Sequence, residues 1–139
     1  MLQNKGVTLV EVMIALVVLL IVFMGLIQAS LVSIDQNVRN EVRDEAVRIA
    51  AEYMTRTKAT AFSAVTATGI NCAAGPATWT AFPGTPTVAR DFRNMPITYN
   101  IGRCVDDLDT ENKRVGVVGT WPYKGENFTH TILSTLRSK

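Results

Sequence analysis

The chain has 139 residues, of which 47% are hydrophobic and 19% are charged, with a formal net charge of +2. This length fits a single domain, and so small a net charge argues against a protein that binds nucleic acid through the phosphates. Composition alone leaves membrane-bound and soluble classes open, so the positions of the apolar residues have to decide.

The first predicted element is an apolar helix near the N-terminus. Between Val7 and Ile27 the only charged residue is Glu11, and a helix of this length spans ~30 Å, the thickness of a bilayer's hydrocarbon core. Lys5 precedes the run and no further Lys or Arg occurs until Arg39, which places the N-terminus in the cytoplasm. A secretory signal peptide also begins with basic residues, but this run is longer than a typical signal core and "QASLVS" is a poor cleavage site.

The same helix is predicted to continue beyond the membrane span. Apolar residues recur at steps of three and four, as on an amphipathic helix, at Ile27, Leu31, Ile34, Val38, Val42, Ala46, Ile49 and Tyr53. Three acidic residues each precede a base by four positions, a spacing that supports helices, in the pairs Asp35/Arg39, Asp44/Arg48 and Glu52/Arg56. We predict one helix from about Thr8 to about Phe62, whose second half packs on a small domain.

The rest of the chain predicts a loop followed by an antiparallel sheet. Residues 63–95 are rich in Gly, Pro, Thr and Ala and show no sustained periodicity, which is typical of a loop. In residues 96–139, three runs rich in β-branched and aromatic residues predict strands, at Pro96–Val105, Arg114–Trp121 and Asn127–Thr135. Such a small sheet needs an apolar partner, which the amphipathic half of the helix provides. The predicted fold class is therefore α+β.

Cys72 and Cys104 are expected to form a disulfide. They lie on the predicted non-cytoplasmic side of the membrane, where disulfides persist, and the bond would restrict the unfolded chain by about 3 to 4 kcal/mol. The alternative is two buried thiols. Their spacing relative to His130 does not resemble a metal site.

One acidic segment resembles part of a calcium-binding loop. Asp107, Asp109 and Glu111 alternate as calcium ligands do, but Asn112 replaces the expected glycine and Val118 replaces the expected bidentate glutamate. We therefore predict a solvated hairpin turn there, and we expect neither a metal nor another cofactor.

The other candidate residues suggest structural or binding roles. His130 alternates with apolar neighbours on the last predicted strand, which is more typical of a structural histidine than a catalytic one. Trp79 and Phe82 could either contact a neighbouring protein or fold under the loop onto the sheet. Asn127 begins a glycosylation sequon, a short pattern that is common by chance. No nucleophile is paired with a base, so no enzyme is predicted.

The N-terminal segment "KGVTLVEVMIALVVLLIVF" resembles the corresponding segment of type IV pilins and related substrates of prepilin peptidase. A six-residue polar leader ends in Lys5 and Gly6, and Glu11 is the fifth residue after that glycine. The C-terminal sequence "KRVGVVGTWPYKGENFTHTILSTLRSK" resembles the ending of PilV-type minor pilins. The resemblance implies the type IV pilin fold, in which one long helix packs on a small antiparallel sheet.

The resemblance also implies a processing site and a division of the chain. A membrane peptidase would cut between Gly6 and Val7, removing a leader of residues 1–6, and the new amino group would be methylated. Residues 7–27 would then form the transmembrane and assembly part of the helix, and residues 28–139 a periplasmic domain. Val7 occupies a position where the family usually has Phe, and this segment lacks the proline that the family often has.

Glu11 has a physical explanation in such a protein. A carboxylate inside a membrane helix costs up to ~2.5 to 3.5 kcal/mol, whereas an amino group ~4 Å away would return about 4 kcal/mol at an effective dielectric of 20. The partner amine would be the processed terminus at Val7, of the same chain or of a neighbour, so that Glu11 sets the axial register between subunits. The alternative is a glutamate that extends to water at the membrane surface without a partner.

Three functional classes follow. The first is a structural minor pilin in an initiating or tip complex of a type IV pilus. The second is a minor pseudopilin of a type II secretion system, and the third is an ordinary single-span binding module. In the first two, the expected partners are other pilins through the N-terminal helix, prepilin peptidase, the inner-membrane assembly platform and lipid. No nucleic acid is expected. The chain would start in the bacterial inner membrane and end in a pilus or pseudopilus.

Overall fold

A computed structural model describes residues 8–138 and confirms the predicted α+β fold. One helix, α1 (Leu9–Ala59), precedes a five-stranded antiparallel sheet. The strands are β1 (Thr80–Ala81), β2 (Thr87–Phe92), β3 (Met95–Asp107), β4 (Asn112–Tyr123) and β5 (Glu126–Arg137). Short 3-10 helices occupy Phe62–Ala64, Cys72–Ala74 and Pro76–Thr78.

The chain forms two compact units that divide within α1. The first extends through Val38 and the second begins at Arg39. Every buried residue of the described chain belongs to the second unit, beginning with Val42. The hydrophobic core is therefore formed by the second part of α1, the sheet and the segment that joins them.

The amphipathic stripe predicted for the helix is confirmed over its second part. The buried residues of α1 are Val42, Ala46, Ile49, Ala50, Tyr53, Met54 and Thr57. This stripe packs on one face of the sheet, where the Tyr99 hydroxyl donates a 2.9 Å hydrogen bond to the Val42 carbonyl. Ile27, Leu31 and Ile34 continue the stripe in sequence but are exposed.

The strands follow the order β1-β3-β4-β5, with β2 also pairing with β3. Alternate side chains of β3 and β4 point toward α1, and those that are buried are Ile97, Tyr99, Ile101, Val105, Val115, Val117, Trp121 and Tyr123. Trp121 lies near both Tyr99 and Phe128 of β5, with ring centroids 5.9 and 6.1 Å apart. These three aromatic rings thus form a cluster at one end of the sheet face that packs on the helix.

The segment after α1 covers the other face of the sheet. Thr68 crosses the edge of β3, where its amide donates to the Val105 carbonyl at 2.9 Å and its Oγ1 accepts from the Val105 amide at 3.0 Å. Beyond this crossing, Cys72 and Trp79 lie against residues of β3 and β4. The second unit consequently has three layers, namely helix, sheet and covering loop.

Two of the predicted element boundaries were wrong. The predicted loop, residues 63–95, contains two 3-10 helices and most of a third. It also contains β1 and β2, which form because they pair with the edge of β3. The helix ends at Ala59 rather than Phe62.

The predicted ion pairs of the helix are only partly correct. Glu52 and Arg56 form the predicted pair at 2.6 Å. Arg48 pairs with Glu45 at 2.6 Å rather than with Asp44. Glu45 also accepts a bond from Arg90 of β2.

Candidate assembly segment

The described part of the N-terminal segment starts with a helix cap. Thr8 precedes α1, and its Oγ1 accepts a 3.3 Å hydrogen bond from the Glu11 amide, which satisfies one of the free N–H groups at the helix start. Glu11 lies in the first turn, where a negative charge is favoured by the helix dipole. The Thr-x-x-Glu spacing is that of a capping box, a signal that our sequence analysis missed.

The first unit of α1 exposes an apolar surface. From Leu9 to Ile34, the large apolar side chains are between 45% (Val12) and 78% (Leu9) exposed. Among the described residues, α1 is the one helix that is long and apolar enough to cross a membrane by length and composition. A surface of this kind requires lipid or other apolar helices around it.

Glu11 is exposed on this apolar segment, and no cation of residues 8–138 forms an ion pair with it. Gly6 and Val7, the predicted processing site, lie outside the described residues. The predicted pairing of Glu11 with a new amino terminus at Val7 therefore remains a prediction.

The structure joins Cys72 and Cys104 in a disulfide, as the sequence predicted. Both residues are buried, at 2% and 0% exposure. Their bond ties the covering loop to β3, 32 residues further along the chain.

Trp79 and Phe82 both fold onto their own domain. Trp79 lies over Gly116, where an added Cβ would come within 2.3 Å of the ring. Phe82 packs edge-to-face on Tyr53 of α1, with ring centroids 4.7 Å apart. Both aromatic residues remain half-buried, so they contribute first to the packing of the domain.

The acidic segment forms a turn stabilised by its own hydrogen bonds. Asp109 Oδ1 accepts from the amides of Glu111 and Asn112 at 2.8 and 2.7 Å. The Asn112 side chain donates to the same carboxylate, and these bonds lower the pKa of Asp109. Within residues 8–138, no cluster of His, Cys, Asp and Glu has the arrangement of a metal site.

His130 and Asn127 both belong to β5. His130 is half-buried opposite Gly119 of β4, and Asn127 is exposed opposite Pro122.

Comparison with known proteins identifies the N-terminal segment. Residues 1–27 match the family model of the prokaryotic N-terminal methylation motif. No curated protein and no solved structure matches the chain. The motif includes Gly6, Val7 and Glu11, and it supports a protein similar to type IV pilins or pseudopilins.

The motif and the fold agree on a structural protein. A methylation motif of the prepilin type implies processing by prepilin peptidase and assembly with other pilins. The apolar helix that follows fits a membrane-anchored subunit. A long helix packed on a small antiparallel sheet is the layout of a pilin.

Proposed function

We propose that this chain is a minor pilin, of the PilV type, which joins an initiating or tip complex and primes assembly of a type IV pilus. The observation that carries the proposal is the prepilin methylation motif at the start of a helix whose apolar side chains are exposed from Leu9 to Ile34. A helix of this kind first resides in lipid and then exchanges lipid for neighbouring apolar helices.

The proposed life of the subunit begins with processing. Residues 1–6 form the leader, and a membrane peptidase cuts between Gly6 and Val7. The new Val7 amine is then methylated. Residues 7–27 anchor the chain in the inner membrane, and residues 28–139 face the periplasm.

Glu11 has a specific role in this proposal. Its carboxylate neutralises the processed amine of Val7 in an adjacent subunit when two helices meet in the correct register. In a wrong register, both charges remain unpaired in an apolar seam, at a cost of several kcal/mol. The exposed position of Glu11 on the first turn of the helix leaves its carboxylate accessible to a neighbour.

Mass spectrometry of the mature chain tests the processing step. We expect a chain that begins at a methylated Val7 in cells with an active prepilin peptidase, and a chain that keeps residues 1–6 in cells without it. A full-length chain in both strains would remove the pilin and pseudopilin functions together and would favour a single-span binding module.

Exchange of Glu11→Gln tests the register role. The amide has nearly the same size but cannot neutralise the amine, so we expect normal processing and a strong loss of the subunit from sheared pili. Glu41→Gln is the matched control, because Glu41 is an exposed glutamate of the same helix in the second unit. Equal incorporation of the two variants would refute the register role.

Deletion of the gene separates the minor pilin from the minor pseudopilin. We expect loss of surface pili with secretion of type II substrates unchanged. The reverse result would assign the chain to a secretion pseudopilus instead.

A further inference from the structure

Arg103 of β3 carries a charge that no acidic side chain of residues 8–138 neutralises. The residue is half-buried, and it pairs with Val117 on the side of the sheet that faces α1. Its Nε is buried and has no hydrogen-bond partner in the described chain. Burial lowers the pKa of this guanidinium, and no neighbouring charge contributes to the shift.

An unpaired arginine in this position is energetically unfavourable. Buried charges in proteins normally have a partner, because an ion that loses water without gaining an opposite charge destabilises the fold. An unsatisfied buried polar atom therefore requires an explanation. Since Nε is enclosed while Arg103 as a whole is half-buried, the outer nitrogen atoms of the guanidinium are the part that a partner can reach.

Aromatic rings hold Arg103 in place. Its guanidinium carbon lies 5.6 Å from the centre of the Phe82 ring, and Phe82 packs edge-to-face on Tyr53 of α1. The Tyr53 hydroxyl in turn donates to the Thr85 carbonyl at 2.8 Å. The cation is thus positioned by the helix and by the segment between β1 and β2, which reduces the entropy that a partner would have to fix on binding.

A second arginine of the same cluster shows that stacking on a ring does not require an unpaired charge. The guanidinium of Arg56 lies 5.1 Å from the centre of the Tyr53 ring, and it forms an ion pair with Glu52 at 2.6 Å. Arg103 makes the corresponding aromatic contact without an acid. The missing anion is therefore specific to Arg103.

We propose that Arg103 is an anchor for a carboxylate of another protein, which binds across the exposed nitrogen atoms of the guanidinium and covers Phe82. The site lies in the second unit of the chain. It is independent of the anchor, of Glu11 and of processing, so the proposal goes beyond the proposed function.

The chemistry of the site favours a protein carboxylate over other anions. One unpaired cation matches the single charge of an Asp or Glu side chain, and the planar guanidinium fits a carboxylate with two parallel hydrogen bonds. A phosphate carries more charge, and it is usually bound by several donors together. Phe82 is half-buried beside the cation, and arginine next to an aromatic ring is typical of the residues that dominate protein interfaces.

Charge also favours an acidic partner over a second copy of this chain. Two copies would each bring a net charge of +2. Several acids of β3 and the β3–β4 turn already have partners, in the pairs Asp106/Arg114, Asp107/Lys113 and Glu111/Arg137. An acidic protein instead meets a net attraction.

A short peptide tests the site on the full chain in detergent micelles. The probe is a tripeptide amide with glutamate between two leucines, its matched control has glutamine in place of the glutamate, and inorganic phosphate is the third ligand. We expect the Arg103 guanidinium NMR signals to shift saturably with the glutamate peptide, with a dissociation constant of about 1 mM, and at least about tenfold weaker binding of the other two ligands. Equal binding of the two peptides, or tighter binding of phosphate, would overturn the proposal.

Two variants of the cluster separate a binding role from a structural one. Arg103→Met removes the charge but keeps an unbranched side chain beside Phe82, so we expect an unchanged or higher midpoint of urea unfolding and at least about tenfold weaker binding of the glutamate peptide. Arg56→Met is the matched control, because this arginine already has an acid; its peptide binding should stay within about twofold of the original. A lower midpoint for Arg103→Met, or equal peptide binding by the two variants, would overturn the proposal.

Sedimentation in the same micelles tests the choice of partner. We expect the original chain and Arg103→Met to have the same mass at equal concentration, because the free chain does not supply the anion. A larger mass of the original chain that is lost in Arg103→Met would overturn the proposed partner in favour of a second copy.

Discussion

The indole of Trp79 depends on the absence of a side chain at Gly116. A Cβ at this position would lie 2.3 and 2.7 Å from two ring carbons and 2.8 Å from the Cys104 sulfur. Protein interiors are too closely packed to absorb such overlaps without movement. Packing against Trp79 therefore explains why a glycine occurs in the middle of β4, where the backbone forms no turn and has no positive φ.

We predict that Gly116→Ala destabilises the domain by about 1 to 3 kcal/mol, because the indole must leave its position on the sheet. Gly119→Ala is the matched control on the same strand, since its new Cβ would meet Ile101 and the Ala46 carbonyl at ordinary distances of 3.8 and 3.9 Å. Urea unfolding of both variants measures the difference. Equal midpoints would show that Trp79 does not need the space.

The carboxylate of Glu45 joins α1 to β2 through ion pairs. Its carboxylate accepts bonds from Arg48 at 2.6 and 2.7 Å and from Arg90 at 2.8 Å. The Arg48 bonds are the main cause that lowers the pKa of Glu45 below its usual 4.5, and Arg90 adds to this effect against the cost of desolvation. Because both arginines are substantially exposed, the stabilisation is that of a surface network.

The lowered pKa of Glu45 predicts a pH dependence of stability. Its contribution is complete above pH 4.5, the usual pKa of the unfolded chain, and is lost as the pH falls through the lower pKa of the folded chain. We expect Glu45→Gln to cost about 0.5 to 1 kcal/mol at pH 7, and this cost to shrink toward pH 3. Urea unfolding at both pH values measures it, with Glu41→Gln as the control. A cost that does not change with pH would contradict the prediction.

The sequence predicted which residues of the helix stripe are buried better than it predicted their polar partners. Val42 and Tyr53 follow from periodicity alone, because burial of one face is a property of the helix itself. Glu45, the acid that Arg48 contacts, also accepts a bond from Arg90, which arrives from a strand 45 residues later. Helical spacing contains no information about that strand.

At the scale of elements, β1 and β2 were missed because their own sequences do not reveal that they pair with β3. β1 has two residues, and β2 is mostly exposed, so neither shows the alternation of a half-buried strand. The β2–β3 turn uses Arg93 and Asn94, both with positive φ, rather than the Asn-Gly pair that marks such hairpins in a sequence. The long strands β3, β4 and β5 were predicted because their own composition favours them.

The helix end was missed for a related reason. α1 ends at Ala59, although no glycine or proline occurs nearby to signal a stop. Beyond it, Lys113 of β4 donates to the carbonyls of Phe62 and Val65 at 3.3 and 2.6 Å. Bonds from a distant strand thus stabilise the non-helical backbone that follows.

The disulfide links the covering loop to the sheet, and we predict that its removal lowers the free energy of unfolding. Replacing both Cys72 and Cys104 with alanine should lower the free energy of unfolding by about 3 to 4 kcal/mol, since the bond closes a loop across 32 positions. Guanidinium unfolding of the variant and of the original chain, each with and without reductant, measures this. Reductant should weaken the original chain only; a variant as stable as the oxidised original would contradict the prediction.

At the scale of the whole molecule, the two units of the chain differ in where their apolar side chains lie. The exposed apolar side chains between Leu9 and Ile34 belong to the first unit, whereas the core that starts at Val42 belongs entirely to the second. The sequence predicts a change within the helix after residue 27, where a long uninterrupted apolar run gives way to an amphipathic stripe, whereas the two compact units divide later, between Val38 and Arg39. The exposed apolar segment is therefore not needed to fill the core.

This division predicts that residues 28–139 fold without the anchor. We expect a soluble monomer with the Cys72–Cys104 bond intact and a cooperative unfolding transition, because none of its buried residues loses a neighbour from the core. Circular dichroism, thiol titration and sedimentation measure these properties. A second fragment that starts at Arg39 should be less stable, since its helix would fray at Val42, whose carbonyl accepts the bond from Tyr99. An unfolded 28–139 fragment would show that the part of α1 before residue 28 contributes to the core.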